Sequence, residues 1–157
     1  MKITRAYSIS SSPKEAMNGT LEVTIQKAGL FSSYMLDNAK VGDTLVVGEP
    51  SGDFYYDNLR DNKNIVAIAG GSGVTPFVSM IKSLQEESDD FNLTLFYGAR
   101  TRKDLIIDYK DVNSSKVKLA IVLSEEQAER LAKWKRAFVH DSSNNELNQS
   151  YKNEIGD

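Results

Sequence analysis

The spacing of apolar and polar positions changes character near the middle of the chain. Residues 3–9 alternate weakly, and residues 20–27 (TLEVTIQK) set Leu21, Val23 and Ile25 against polar neighbours. Period-two alternation predicts half-buried antiparallel strands. Ser10-Ser11-Ser12-Pro13 and Asn18-Gly19 punctuate a loop between them. Val41-Gly42-Asp43 turns the chain into a third predicted strand, residues 44–47, which Pro50-Ser51-Gly52 ends before an extended piece opening on Phe54-Tyr55-Tyr56. Tyr34, Met35 and Leu36, after Gly29, predict one or two helical turns.

Charged and amide residues fill 58–63, and beyond them short apolar runs take over, at 65–69, 92–97 and 117–123. Runs of that kind suit parallel strands buried on both faces. Between the first two, Phe77, Met80, Ile81 and Leu84 share one helical face. Leu105-Ile106-Ile107 is a smaller apolar patch, and Ser124 with Glu125 and Glu126 reads as the capped first turn of another helix. The pattern therefore divides the chain into a β region, residues 1–58, and an α/β region, residues 62–157, whose strands need crossovers. From Asp141 the chain is rich in Asn, Ser and Glu. Leu147, Tyr151 and Ile155 fall four apart there, a spacing that fits a weak helix in a composition that fits disorder equally well.

One stretch, residues 64–76 (NIVAIAGGSGVTP), carries the first chemical signal. A predicted strand stops at Gly70-Gly71, Gly73 follows, and Thr75-Pro76 open the helical segment, with Thr75 suited to the N-cap and Pro76 to the first helical position. A strand, a glycine turn and a helix N-terminus can hold a phosphate anion, because unpaired N–H groups point at it and glycine lets it approach the backbone. A tight turn with no ligand has the same appearance.

Composition changes this picture mainly by exclusion. The chain of 157 residues has no cysteine, so disulfides, thiolate zinc sites and cysteine-ligated iron–sulfur clusters are ruled out for it. A net charge of −3 offers no basic field for nucleic acid. No run has the length of a membrane span, and MKITRAYS lacks the apolar core of a signal peptide, so a cytoplasmic location is expected. The one histidine, His140, lies in a polar context and gets no role, and no metal site is expected.

The individual residues then narrow the reading. Arg5-Ala6-Tyr7-Ser8 resembles the R-x-Y-S flavin motif of the ferredoxin–NADP⁺ reductase superfamily. Gly29-Leu30-Phe31-Ser32 is similar to its G-x-x-S segment. Gly42-Asp43 with the stretch from Gly48 to Phe54 is similar to its GD…GP-x-G-x-F segment, with Glu49 inserted. Residues 69–76 resemble its pyridine-nucleotide loop, and Tyr97-Gly98-Ala99-Arg100 its second-strand ending. Each block is short, but five stand in the family's order across residues 5–124. The resemblance implies an incomplete antiparallel Greek-key flavin barrel followed by a partial Rossmann-like parallel sheet, with FAD and NAD(P)H as cofactors.

It also implies roles. Arg5 would pair with the flavin pyrophosphate, Tyr7 would lie against the flavin ring, and Ser8 would hydrogen-bond near the flavin nitrogen that accepts hydride. Gly29 and Ser32 would serve the flavin diphosphate. Gly70, Gly71, Gly73 and Pro76 would frame the NAD(P)H diphosphate, and Thr75 would sit near the nicotinamide. Arg100 and Ser124, at the ends of the next two strands, would read the adenosine ribose or its 2′-phosphate, with a lean toward NADPH. Tyr7, Ser8 and Thr75 are thus the expected catalytic set. The implied reaction is hydride transfer from nicotinamide to flavin, with electrons passed on to a protein acceptor such as ferredoxin or an oxygenase component.

The chain departs from the family pattern at both ends. The family has further barrel strands before R-x-Y-S, where four residues stand here, and it continues to a C-G-P segment that this cysteine-free chain lacks. Ala137 and His140 replace the glycine and threonine of a G-F-[IV]-T stretch around Phe138-Val139. The expectation is the middle of a reductase, weak in flavin binding and activity by itself, with a complementing chain as one way to supply the rest. A non-catalytic nucleotide-binding module and an electron-transfer subunit of a larger complex are the competing readings. Nucleotide titration and hydride transfer to an artificial acceptor separate them.

Overall fold

The three apolar runs form strands because each has a neighbour to pair with and a helix to pack under. A computed structural model describes residues 4–126 of the chain. Strand β1 spans Asn64–Gly70, β2 Asn92–Ala99 and β3 Val117–Leu123. They make one parallel sheet in the order β1-β2-β3, with Ile65 beside Leu93, Leu95 beside Leu119, and Gly70 beside Gly98. A 3-10 turn, Gly71–Val74, leads from β1 into a helix over Thr75–Gln85. That helix buries Phe77, Ile81 and Leu84 against Ala67, Leu93, Leu95 and Tyr97 of the sheet. The link from β2 to β3 adds Ile107, and the Tyr97 hydroxyl accepts a hydrogen bond from the Ile106 N–H at 3.2 Å, so its buried polar end is satisfied.

Period two along the strands explains the other face. Val66, Ile68, Phe96 and Val122 alternate with the buried positions and are exposed, Ile68 at 82%. Nothing among the described residues covers them, in contrast to the two-sided burial that the apolar runs predict.

The amino ends of the strands are tied by charge. Asp90 bridges Lys63 at 2.7 Å and Lys116 at 2.9 Å. Hydrogen bonds from Lys63 and then Lys116 hold its carboxyl down from the usual 3.8 to about 2. A depressed folded pKa contributes stability that is complete above 3.8 and lost as pH falls toward about 2. Urea midpoints measured across that window are therefore expected to fall more steeply for the natural chain than for Asp90→Asn. Parallel curves would show that the bridge contributes nothing.

The first half is less regular than its alternation predicts. It contains two short helices, over Pro13–Met17 and Leu30–Asn38, here α1 and α2. The helix Thr75–Gln85 is accordingly α3. In place of the predicted ladders over 3–9 and 20–27, the described residues form one antiparallel bridge, Ile9 with Val23. Residues 44–47 are not a strand: Leu45, Val46 and Val47 are exposed and have no ladder partner among the described residues. An alternating segment is a strand only when a neighbour takes its N–H and C=O groups. The tail beyond residue 126, including His140 and the weak helix read from Leu147, Tyr151 and Ile155, lies outside the described residues.

Candidate functional site

Two segments from the first half and one from the second meet in a cleft of about 420 Å³. Arg5, Tyr7 and Ser8 line one wall, with Thr24, Gln26 and Ala28 on the neighbouring segment. Gly29, Leu30, Phe31 and Ser32, the start of α2, form the floor. Ser72 and Thr75, from the turn after β1, complete the lining. Tyr7 is half-buried, and its ring lies 6.1 Å from that of Phe31 at 33°. Phe31 was not singled out by sequence, although it stands inside the G-L-F-S block. Thr24 and Gln26 were also missed; they are the polar side of the alternation whose apolar side was read.

The electrostatics suit an anion. Arg5 is exposed, and among the described residues it is the only charged one lining the cleft, with no carboxylate among them. The N-terminus of α2 reaches it with no side-chain cap on its first N–H groups and no acidic residue in its first turn, and the 3-10 turn that leads into α3 likewise starts, at Gly71–Gly73, with no side-chain cap and no acidic residue. Helix ends left in this state attract negative charge. A Cβ built at Gly29, Gly70, Gly71 or Gly73 would meet no atom within 4 Å, so these backbones face open space. Gly71 is left-handed at φ +52°, which a side chain tolerates poorly. These features fit a pair of diphosphates. Among the described residues no cluster of His, Cys, Asp or Glu could hold a metal ion.

Two predicted residues behave differently from expectation. Thr75 is not the N-cap: it already has helical dihedrals, because the 3-10 turn runs directly into α3. Its buried hydroxyl donates to the Ser72 carbonyl at 2.7 Å, which locks the turn; Val74 holds the cap position, and Pro76 sits one place further into the helix than Thr75. Ser32 is buried, and its hydroxyl accepts from the Ala28 and Gly29 N–H groups at 2.9 and 3.0 Å while donating to the Gly29 carbonyl. It shapes the turn at the head of α2 from within. Ser8 is exposed in the cleft.

Arg100 and Ser124 are not in the cleft wall. They lie at the carboxyl edge of the same sheet, just past β2 and β3, where ligands of parallel sheets bind. The two strand ends are joined by a hydrogen bond from the Glu125 N–H to the Arg100 carbonyl at 3.1 Å. The Arg100 side chain is exposed and reaches Asp104 at 3.5 Å. A larger hollow, about 840 Å³, opens at the amino ends of the strands around Lys63, Asp90 and Lys116. Its two lysines both pair with Asp90, and the Asp89 carboxylate accepts from the Ser83 hydroxyl.

Comparison with known proteins agrees with this geometry. A family model for the oxidoreductase FAD-binding domain matches residues 1–56, and one for the oxidoreductase NAD-binding domain matches residues 67–155. The chain belongs to the ferredoxin–NADP⁺ reductase superfamily of FAD- and NAD-binding oxidoreductases. It is 36% identical to a flavohemoprotein of Candida albicans over 80% of this chain and 32% of the relative. It is equally 36% identical to the toluate 1,2-dioxygenase electron transfer component of Pseudomonas putida, over 66% of this chain and 30% of the relative. The fold resembles the ferredoxin-NADP⁺ reductase of Plasmodium falciparum with a TM-score of 0.60, at 24% identity, over 92% of this chain and 64% of that one. The chain spans about a third of the length of the curated relatives it matches. No helix among the described residues is long and apolar enough to cross a membrane.

Proposed function

We propose that this chain carries the flavin–nicotinamide meeting site of an NAD(P)H-dependent reductase, with residues 1–58 holding FAD and residues 62–157 holding NAD(P)H. The observation that carries the reading is the shared cleft: Tyr7, Ser8, the head of α2 and the turn before α3 line one cavity. Its volume is that of a small-molecule site. When bound, the two cofactors supply the hydride donor and acceptor. The chain's own residues bind, orient and shield. Arg5 neutralises a flavin diphosphate with a guanidinium fork. Tyr7 and Phe31 form an aromatic wall. Ser8 offers a hydroxyl donor on the ring side of that wall. The Gly70–Gly73 backbone, at the uncapped start of the 3-10 turn, takes the second diphosphate, and Thr75, held by Ser72, fixes where the nicotinamide side begins. Arg100 and Ser124 contact the adenosine ribose.

The acceptor is proposed to be a protein of the oxygenase-component or ferredoxin type, and the location cytoplasmic. The Pseudomonas putida relative, a toluate 1,2-dioxygenase electron transfer component, supports the first. Titrating FAD with the full chain is expected to quench flavin fluorescence, and added NADH or NADPH to bleach the bound flavin anaerobically. Arg5→Ala is expected to weaken FAD roughly tenfold, since a hydrogen bond to a charged group contributes about 1.5–3 kcal/mol. Absence of quenching up to millimolar chain would remove the flavin role.

A further inference from the structure

The residues just outside the cleft join its two walls. Ser10, Ser11 and Ser12 follow Tyr7 and Ser8 after one intervening residue, Ile9, and they are almost completely buried in a loop. Each is held. The Ser10 N–H donates to the Glu22 carbonyl at 2.8 Å, the Ser11 hydroxyl accepts from the Glu22 N–H, and the Ser12 hydroxyl caps α1 through the Glu15 N–H at 3.1 Å. On the other wall, Thr75, Ser79 and Lys82 are spaced by four and three along α3 and so share one face of it. The Ser79 hydroxyl donates to the Ser11 carbonyl at 2.7 Å. The Lys82 ammonium reaches Glu22 at 2.6 Å and Glu15 at 3.3 Å, both in the first half. Its side chain is only 28% exposed. Burial works against its charge, yet the two carboxylates outweigh burial and raise its pKa.

We infer that Lys82, with Ser79, Glu15 and Glu22, is the joint that sets the gap between the flavin wall and the nicotinamide wall, making Lys82 a positioning residue. The inference rests on the proposed function only for what the gap is used for. Movement at the joint has short, stiff routes to the chemistry: two residues of backbone from Ser10 to Ser8, and two turns of α3 from Lys82 to Thr75. A displacement of about 1 Å between reacting groups can cost up to 100-fold in rate.

The chain has no native cysteine, so two can be introduced without background. Spin labels on Leu36→Cys in α2 and Lys110→Cys between β2 and β3, both exposed, report the distance between the halves by electron–electron resonance. Lys82→Met is expected to broaden or shift that distance distribution and Lys82→Arg to keep it. Glu22→Gln, which leaves Lys82 in place, is expected to have a smaller effect of the same kind. With the cofactors bound, Lys82→Met is expected to lower kcat roughly tenfold with KM for NAD(P)H changed less than about twofold. A Lys82→Met chain that is folded by circular dichroism and keeps the parent distribution would overturn the inference, as would an unchanged distribution in Glu22→Gln if Lys82→Met fails to fold. If the parent shows no turnover, the distances still decide the joint, and only the proposed function fails.

Discussion

Leu95→Ala is expected to remove about 3–4 kcal/mol of folding free energy, the usual cost of a leucine truncated at a site that cannot collapse. Leu95 is fully buried at the centre of β2, flanked in register by Ala67 and Leu119 and covered by α3. Its neighbours are fixed by strands on both sides, so the cavity cannot close. A domain of this size has about 5–15 kcal/mol in total, and the loss is a large share of it. Urea denaturation followed by circular dichroism measures it. Ile68→Ala, on the open face of the same sheet, is the matched control and is expected to cost less than about 1 kcal/mol. Equal costs for the two would mean that α3 does not mark the core side.

The second large effect is on binding. Gly71→Val is expected to lower NAD(P)H affinity more than about tenfold, because a β-branched residue at positive φ costs of order 1–2 kcal/mol and pushes the turn away from its geometry. The added side chain also enters the open space in front of the 70–73 backbone. Gly71→Asn separates these causes: asparagine accepts the left-handed conformation and keeps the turn while still partly filling the space. Affinity is expected to fall in the order natural chain, Asn, Val in calorimetric titrations with NADH and NADPH. Val binding as tightly as glycine would show that the loop is not where the nucleotide lies.

The α/β half was legible because each of its strands is a compact apolar run between breakers. Residues 64–70 and 117–123 carry their own boundaries in Gly70 and Ser124, and the helix after Pro76 shows its buried face in Phe77, Ile81 and Leu84. What periodicity could not show was pairing. Leu21, Val23 and Ile25 alternate as a strand should, but alternation records only which side a residue would face, and a single bridge forms there. The outer sheet face has the same origin: Val66 and Ile68 look like core in a run of apolar letters, and only the topology reveals them as exposed. Of the residues the sequence singles out, Arg5, Tyr7, Ser8, Gly29, Ser32 and Thr75 line the candidate cleft, while Gly70, Gly71 and Gly73 stand beside it. Ser10 to Ser12 do lie in a loop, as read; their burial was hidden because small polar residues are common in loops and it depends on partners far along the chain, Glu22 and Ser79. Thr75 was assigned to the cap because its residue type fits that place, whereas the 3-10 turn before it shifts the helix start by one residue.

The order β1-β2-β3 in space is also the order along the chain. During synthesis at about 5–20 residues per second, each strand that leaves the ribosome therefore finds its partner already made, one position upstream. Among the three described strands the sheet can grow like a closing zip, each new strand adding at the edge, and the slow search that burdens parallel sheets is split into two short steps.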